Sequence, residues 1–292
     1  DARMELAIMY MMTGRDDDAL SQVNQVLLEQ SGRSDALRLM AIIHFRQNFL
    51  DAAWADFEDL LATGQYRMDA LYYLGRIADV REEYERAILL YREVRYGSNA
   101  PAAQRRASAL LVFEQDDLDG ALEVLDEFAE DSPQHAVDMI IAKAQLYASK
   151  EKFERSLEFY DRAIDVRPDS EGTVLSRAEL LLRLGRVGDA IAAYTAATER
   201  WPDSALSLNA LGYTLADRTE PYAEAADRID NAQQLEPDRP RSTIATAGSS
   251  SRWAATTRRW RASSLPTRLL TITRWPPTWR RFLSRSIVAT RP

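Results

Sequence analysis

Seven small residues, Ala7, Ala41, Gly75, Ala109, Ala144, Ala178 and Gly212, recur at separations of 34, 34, 34, 35, 34 and 34. A second small residue follows each by 12 or 13 positions: Ala19, Ala53, Ala87, Ala121, Ser156, Ala190 and Ala225. Four residues further on stands a bulky one, Val23, Phe57, Tyr91, Leu125, Tyr160, Tyr194 or Ile229. A period of this kind means that one supersecondary unit is used again and again. Two antiparallel helices approach closely only where side chains are small. A small residue on each helix, with a large one filling the space beside it, therefore sets one crossing per unit. Gly14, Asn48 and Gly185 fall between the small pairs as turn signals, and Pro133, Pro168, Pro202 and Pro237 close the last four units. Acids gather where a second helix begins, at Asp16, Asp17 and Asp18 or at Asp116 and Asp117. There they are expected to satisfy free amides and the helix dipole. Each unit leaves one apolar face uncovered, so units stack with a constant rotation into a superhelix with a concave inner surface.

These residues resemble the tetratricopeptide repeat family. Residues 178–204, AELLLRLGRVGDAIAAYTAATERWPDS, look like a near-consensus unit, with Ala178, Gly185, Ala190, Tyr194, Ala197 and Pro202 on the family's positions. The resemblance covers residues 1 to about 238 as seven units, the first one clipped. It implies an all-α fold, a right-handed superhelical solenoid of antiparallel helix pairs. Departures are mild: Ser156 replaces the usual Ala, the first three units lack the closing Pro, and one extra residue sits near Pro221. A narrower resemblance lies in residues 207–225, SLNALGYTLADRTEPYAEA. That stretch is similar to gammaproteobacterial envelope members of the family, among them lipoprotein adaptors that present substrates to a C-terminal processing protease. It implies a periplasmic protein tethered to the outer membrane by a lipid upstream of Asp1, the start at Asp1 then being a cut. The alternative location is the cytoplasm, since the absence of cysteine fits both compartments.

Residues 239–292 break the pattern. Residues 241–292 hold 11 Arg and no Lys, Asp or Glu, so the first 240 residues carry 26 basic against 45 acidic side chains, a net of −19. Such a body repels polyphosphate at long range, and nucleic acid is not an expected partner. The tail has no helical period, and Pro266, Pro276 and Pro277 interrupt it. Back-translated with GC-rich codons and read from the third base, Trp253 to Ser264 becomes GGHDEALARFE, the opening of a second repeat helix. The tail is therefore expected to be an eighth repeat altered by a frame change near residues 239–241, and to be poorly ordered. One unbroken frame in DNA from independent sources would remove that expectation. A basic arm is the alternative.

Catalytic signals are sparse. His44 sits where other units place Tyr10, Ala78 or Tyr147, which marks a packing position, and His135 follows Pro133 in a loop. Neither has a serine or carboxylate at a recognised spacing. No phosphate-binding glycine loop and no metal-binding motif occurs, and no apolar run is long enough to span a membrane. Acid pairs such as Glu82 and Glu83 are ordinary on exposed helix faces. No enzyme activity, metal or cofactor is expected.

The resemblance implies instead a binding groove. In the family's architecture, first-helix positions 2, 5, 9, 12 and 13, counted with the small residue as 8, line the concave face. From the second to the fourth unit these include Arg38, Ile42, Phe45, Arg46, Tyr72, Arg76, Arg106, Leu110 and Phe113. Guanidinium forks bind carboxylates and aromatic rings take apolar side chains, so this face suits a peptide with acidic character or a free C-terminus. The alternative is that each arginine pairs with an acid such as Asp35, Asp69 or Asp79. Co-chaperone members of the family use Lys at position 5 and Asn at position 9. The second and third units have Arg38 with Ile42 and Tyr72 with Arg76, so a two-carboxylate clamp of that kind is not expected. Later units present Ile141, Gln145, Leu175, Leu182, Asn209 and Tyr213, a flatter surface for a globular partner or a second copy. The expected function is a non-catalytic adaptor that delivers a client to an envelope protease or cell-wall hydrolase. The alternative is an assembly factor that self-associates through its repeat faces.

Overall fold

A computed structural model describes residues 2–218 together with Asn231 and Leu235. Within them the chain is all-helical. Six complete pairs run α1 (Ala2–Met12) and α2 (Asp16–Glu29), α3 (Ser34–Arg46) and α4 (Leu50–Ala62), α5 (Arg67–Val80) and α6 (Tyr84–Arg92), α7 (Ala100–Glu114) and α8 (Leu118–Asp131), α9 (Ala136–Ser149) and α10 (Phe153–Val166), α11 (Glu171–Arg183) and α12 (Val187–Arg200). Helix α13 (Ala205–Arg218) opens the seventh unit. Pro221, Ala225, Ile229 and Pro237 lie outside the described residues, as does the 239–292 tail with its expected frame change.

Each helix packs on its neighbours in sequence, and first helices of successive units also touch, α1 on α3, α5 on α7, α7 on α9 and α11 on α13. First helices thus form one layer of the solenoid. No described helix is long and apolar enough to cross a membrane. The crossing logic is visible in the core: Ala7, Ala19, Ala41, Ala53, Ala178 and Ala190 are wholly buried, as are Val23, Phe57 and Leu125 beside such positions. In the third unit a Cβ added to Gly75 would lie 2.9 Å from a ring carbon of Tyr91, so the large side chain uses the space the small one leaves.

The turns follow one design. Gly14, Asn48, Glu82, Asp116, Glu151 and Gly185 all have positive φ, between 56° and 76°. Glycine adopts that conformation freely, and four of the six positions carry a side chain instead. After five of these residues the next amide donates five residues back, as from Phe49 to the His44 carbonyl and from Glu83 to Ala78. In the fourth unit the Asp117 amide reaches six back, to Leu111. One extra residue therefore sits in that turn, and the α7 register differs from the expected one. Ser108, wholly buried, occupies the small position assigned to Ala109, which is half-buried.

The slip follows an irregular approach. Helix α6 has nine residues where the other second helices have 13 or 14. Its exposed carbonyl end is closed by the wholly buried Gln104, whose Nε2 donates to the carbonyls of Val94 (2.9 Å), Tyr91 (3.1 Å) and Arg92 (3.3 Å).

The acids at second-helix starts act differently from expectation. Asp117 alone among these caps its helix, accepting from the Gly120 amide at 2.8 Å. Others reach the next unit: Asp16 takes Arg46, Asp17 takes Gln47, Asp51 takes Arg81 and Asp116 takes Lys150. A carboxylate there still serves the helix dipole while it binds a side chain of the next unit. Partly exposed pairs of this kind, each joining one unit to the next, add ~0–1 kcal/mol each.

Burial pushes the phenols of Tyr91, Tyr160 and Tyr194 above their ordinary value. The folded state then holds these protons more tightly than the unfolded chain. Stability from this source is complete below pH ~10, the unfolded value, and falls as pH rises beyond it. In an alkaline titration these phenols are expected to ionise together with loss of helical circular dichroism. Smooth ionisation of all 12 tyrosines with the helices intact would contradict this.

Candidate functional site

Helices α3, α5, α7 and α9 are the first helices of the second to fifth units, the layer that the resemblance implies is the inner face. The expected groove residues fall into three groups there. Phe45, Tyr72 and Arg76 come together around Tyr73, whose ring meets Phe45 and Tyr72 edge-on, each at 5.4 Å between centroids. The Arg76 guanidinium lies over Phe45 at 4.6 Å and over Tyr72 and Tyr73 at 5.8 Å. Ile42 is half-buried and packs into the same core cluster as Phe45 and Tyr73. Burial raises the Tyr73 phenol, with Arg76 and Arg38 opposing the shift.

The second group is ion-paired. Arg38 donates to Asp69 at 2.6 Å, and its guanidinium also sits over the Tyr66 ring. Arg106 grips Asp79 through both branches, at 2.6 and 2.7 Å, and this hydrogen bonding raises its pKa further. Arg46 turns to Asp16 of the preceding unit at 3.3 Å. Asp35 holds Arg33 instead of a groove arginine, and that bond keeps its carboxyl below the usual range. Arg38 and Arg106 thus follow the acid-pairing alternative. Arg76 has no ion pair among the described residues.

The third group shows the register slip. Leu110 is 1% exposed and belongs to the core, so it does not line the groove. With Ser108 in the small position, the inward residues of α7 become Ala102, Arg105, Ala109 and Phe113. These four, with Arg106, Ser108, Ala142, Gln145 and Leu146, line an open cleft of ≈ 430 Å³ between α7 and α9. Phe113 is 62% exposed beside it. Arg105 is exposed and, like Arg76, has no ion pair among the described residues. Further along, Leu175 is buried and Gln145 exposed, so that surface is less apolar than expected.

Tyr73 and Arg105 were not expected in the groove. Tyr73 stands one place beyond position 5 and carries no inward signal in the sequence. Arg105 was hidden by the misplaced register, which only the burial of Ser108 in the structure reveals.

His44 Nδ1 lies 2.5 Å from Asp56 Oδ2, within the α3 and α4 pair. Burial pushes the Asp56 carboxyl up, and His44 opposes that shift. Neither residue lines the cleft. Among the described residues no group of three or more His, Cys, Asp or Glu is arranged to hold a metal ion.

Models of the tetratricopeptide repeat match residues 38–103, 137–170 and 175–241, more than half of the chain. The chain is 29% identical over 174 residues to the TPR repeat-containing protein PA4667 of Pseudomonas aeruginosa. That match takes in 59% of this chain and spans 29% of the relative's length. Among solved structures, a tetratricopeptide repeat protein from Parabacteroides merdae superposes with a TM-score of 0.57 at 15% identity, over 88% of this chain and 98% of that one. The C-terminal part of a TPR repeat-containing protein from Cytophaga hutchinsonii also gives 0.57, at 13% identity, over 82% and 98% of the two chains. At these identities the likeness concerns the fold alone.

Proposed function

We propose, from the premise that this chain belongs to the tetratricopeptide repeat family, that it is a non-catalytic scaffold holding a partner protein on its inner face. The observation that carries the reading is Arg76: a guanidinium held over Phe45, Tyr72 and Tyr73 with no ion pair among the described residues. A positioned, half-buried guanidinium costs little further ordering when a carboxylate arrives, and the aromatic rings around it supply apolar contact. The finer version is an envelope adaptor, tethered on the periplasmic side of the outer membrane, that brings a client to a C-terminal processing protease or cell-wall hydrolase. Residues 207–225 support that version through their resemblance. Its gain would come from effective concentration, not from chemistry.

The test is capture by the immobilised full chain from a gammaproteobacterial envelope extract, with Arg76→Glu alongside and circular dichroism as the folding control. A protease or cell-wall hydrolase retained by the wild type and lost with Arg76→Glu is the expected result. Equal retention by both baits would move the site off this face, and an empty wild-type bait would remove the adaptor version.

A further inference from the structure

We infer that the inner face reads two features of one extended segment: a carboxylate at Arg76, and an apolar side chain in the α7 and α9 cleft beside Phe113. The inference rests on the scaffold reading and names the chemistry of its ligand. Its first support is charge. The first 240 residues carry a net of −19, and the neighbouring inner-face arginines Arg38, Arg46 and Arg106 are neutralised by Asp69, Asp16 and Asp79. Arg76 and Arg105, on adjacent inner helices, lack an ion pair among the described residues. In an acidic body two unneutralised guanidinium groups on one face form a local site against the overall field. That field disfavours a run of acids, so the matching ligand carries one carboxylate within an otherwise apolar or neutral stretch.

The second support is shape. The cleft has Ala102, Ala109 and Ala142 where larger side chains would fill it, Phe113 as an apolar wall, and Gln145 with Arg105 as polar edges. It therefore accepts one apolar side chain while leaving donors for the ligand's backbone. Adjacent packed helices lie ~8–10 Å apart, and the cleft begins one helix beyond α5. An extended chain advances ~3.3 Å per residue, so about three residues cover the step to α7 and about four reach the middle of the cleft between α7 and α9. The carboxylate has two sources, a side chain or a chain terminus, and both suit a guanidinium fork.

The probes are fluorescent Gly/Ser nonapeptides carrying one Glu and one Leu separated by one, three or four residues, with Glu→Gln and Leu→Ser partners. A further set places the carboxylate at a free or amidated C-terminus. At the three- or four-residue spacing, Glu over Gln and Leu over Ser are each expected to tighten binding to the full chain about tenfold. Arg76→Gln should abolish the Glu preference and keep the Leu preference, and Phe113→Ser the reverse. Amidation separates the two carboxylate sources: a terminal site loses its preference and an internal one keeps it. Absence of binding, a Glu preference that survives Arg76→Gln, or indifference to spacing would each overturn the inference. Partner capture without peptide discrimination sinks this inference and leaves the scaffold reading standing. Discrimination with no captured partner sustains this inference and removes only the envelope-adaptor version.

Discussion

Phe57→Ala is expected to lower stability by about 3–5 kcal/mol, the range for emptying a buried aromatic site. Phe57 is wholly buried in the cluster formed by α3, α4 and α5, and its ring stacks on Tyr73 with centroids 4.9 Å apart and planes within 5°. The same cluster includes Ala41, Ala53 and Ala70, whose side chains are too small to fill the space left. Repeat arrays open unit by unit, so the loss should be largest in the hydrogen exchange of α4 and α5. A loss below about 1 kcal/mol would show that neighbouring units collapse into the cavity. The same change reaches the inner face. Tyr73 holds Phe45 and Tyr72 edge-on and lies beneath Arg76, so losing its stacking partner loosens the whole cradle. Preference for Glu over Gln in the peptide assay is therefore expected to weaken with stability, and Phe57→Leu to restore much of both.

Gln104→Met is expected to cost about 2–4 kcal/mol although side-chain volume is almost conserved. The substitution deletes the donor that closes the end of α6 and leaves the carbonyls of Tyr91, Arg92 and Val94 without it, in a region of the chain that the irregular 93–99 segment already weakens. Part of the cost is offset, because Gln104 Oε1 is itself buried with no hydrogen-bond partner and methionine removes that orphan. Protection in α6 and at the start of α7 should drop while α11 and α12 stay unchanged. An unaltered denaturation midpoint would mean that the carbonyls find other donors and that the glutamine is a packing residue.

The main elements of the fold were legible in the sequence because one physical requirement recurs in it. Close helix crossings need small residues, and Ala7, Ala41, Gly75, Ala144 and Ala178 mark them at a constant interval with bulky partners such as Phe57, Tyr91 and Tyr194. The fourth unit was misread for the same reason. Ala109 and Ser108 are both small, and composition alone does not tell which one faces the crossing. The added turn residue before Asp117 decides it, and one hydrogen bond, from the Asp117 amide to the Leu111 carbonyl, records it. That single step turns Leu110 into the core and brings Arg105 and Ala109 to the groove.

The groove divided in the same way. Its aromatic half, Phe45 and Tyr72 with Arg76, followed from position within the unit. Which arginine stays unneutralised did not, because ion pairs such as Arg38 with Asp69 and Arg106 with Asp79 join residues 27 to 31 apart in sequence. The acids at Asp16, Asp51 and Asp116 stand at helix starts, where free backbone amides are the local partners, and they turned to cations of the adjacent unit. The sequence by itself determined the unit, its period and its stacking, since these depend on side-chain size within about 34 residues. The tertiary structure alone decided register in the fourth unit, the closure of α6 by Gln104 and the charge state of the inner face. Those depend on which group from a neighbouring unit arrives within hydrogen-bonding distance, and that distance is set by how the units stack.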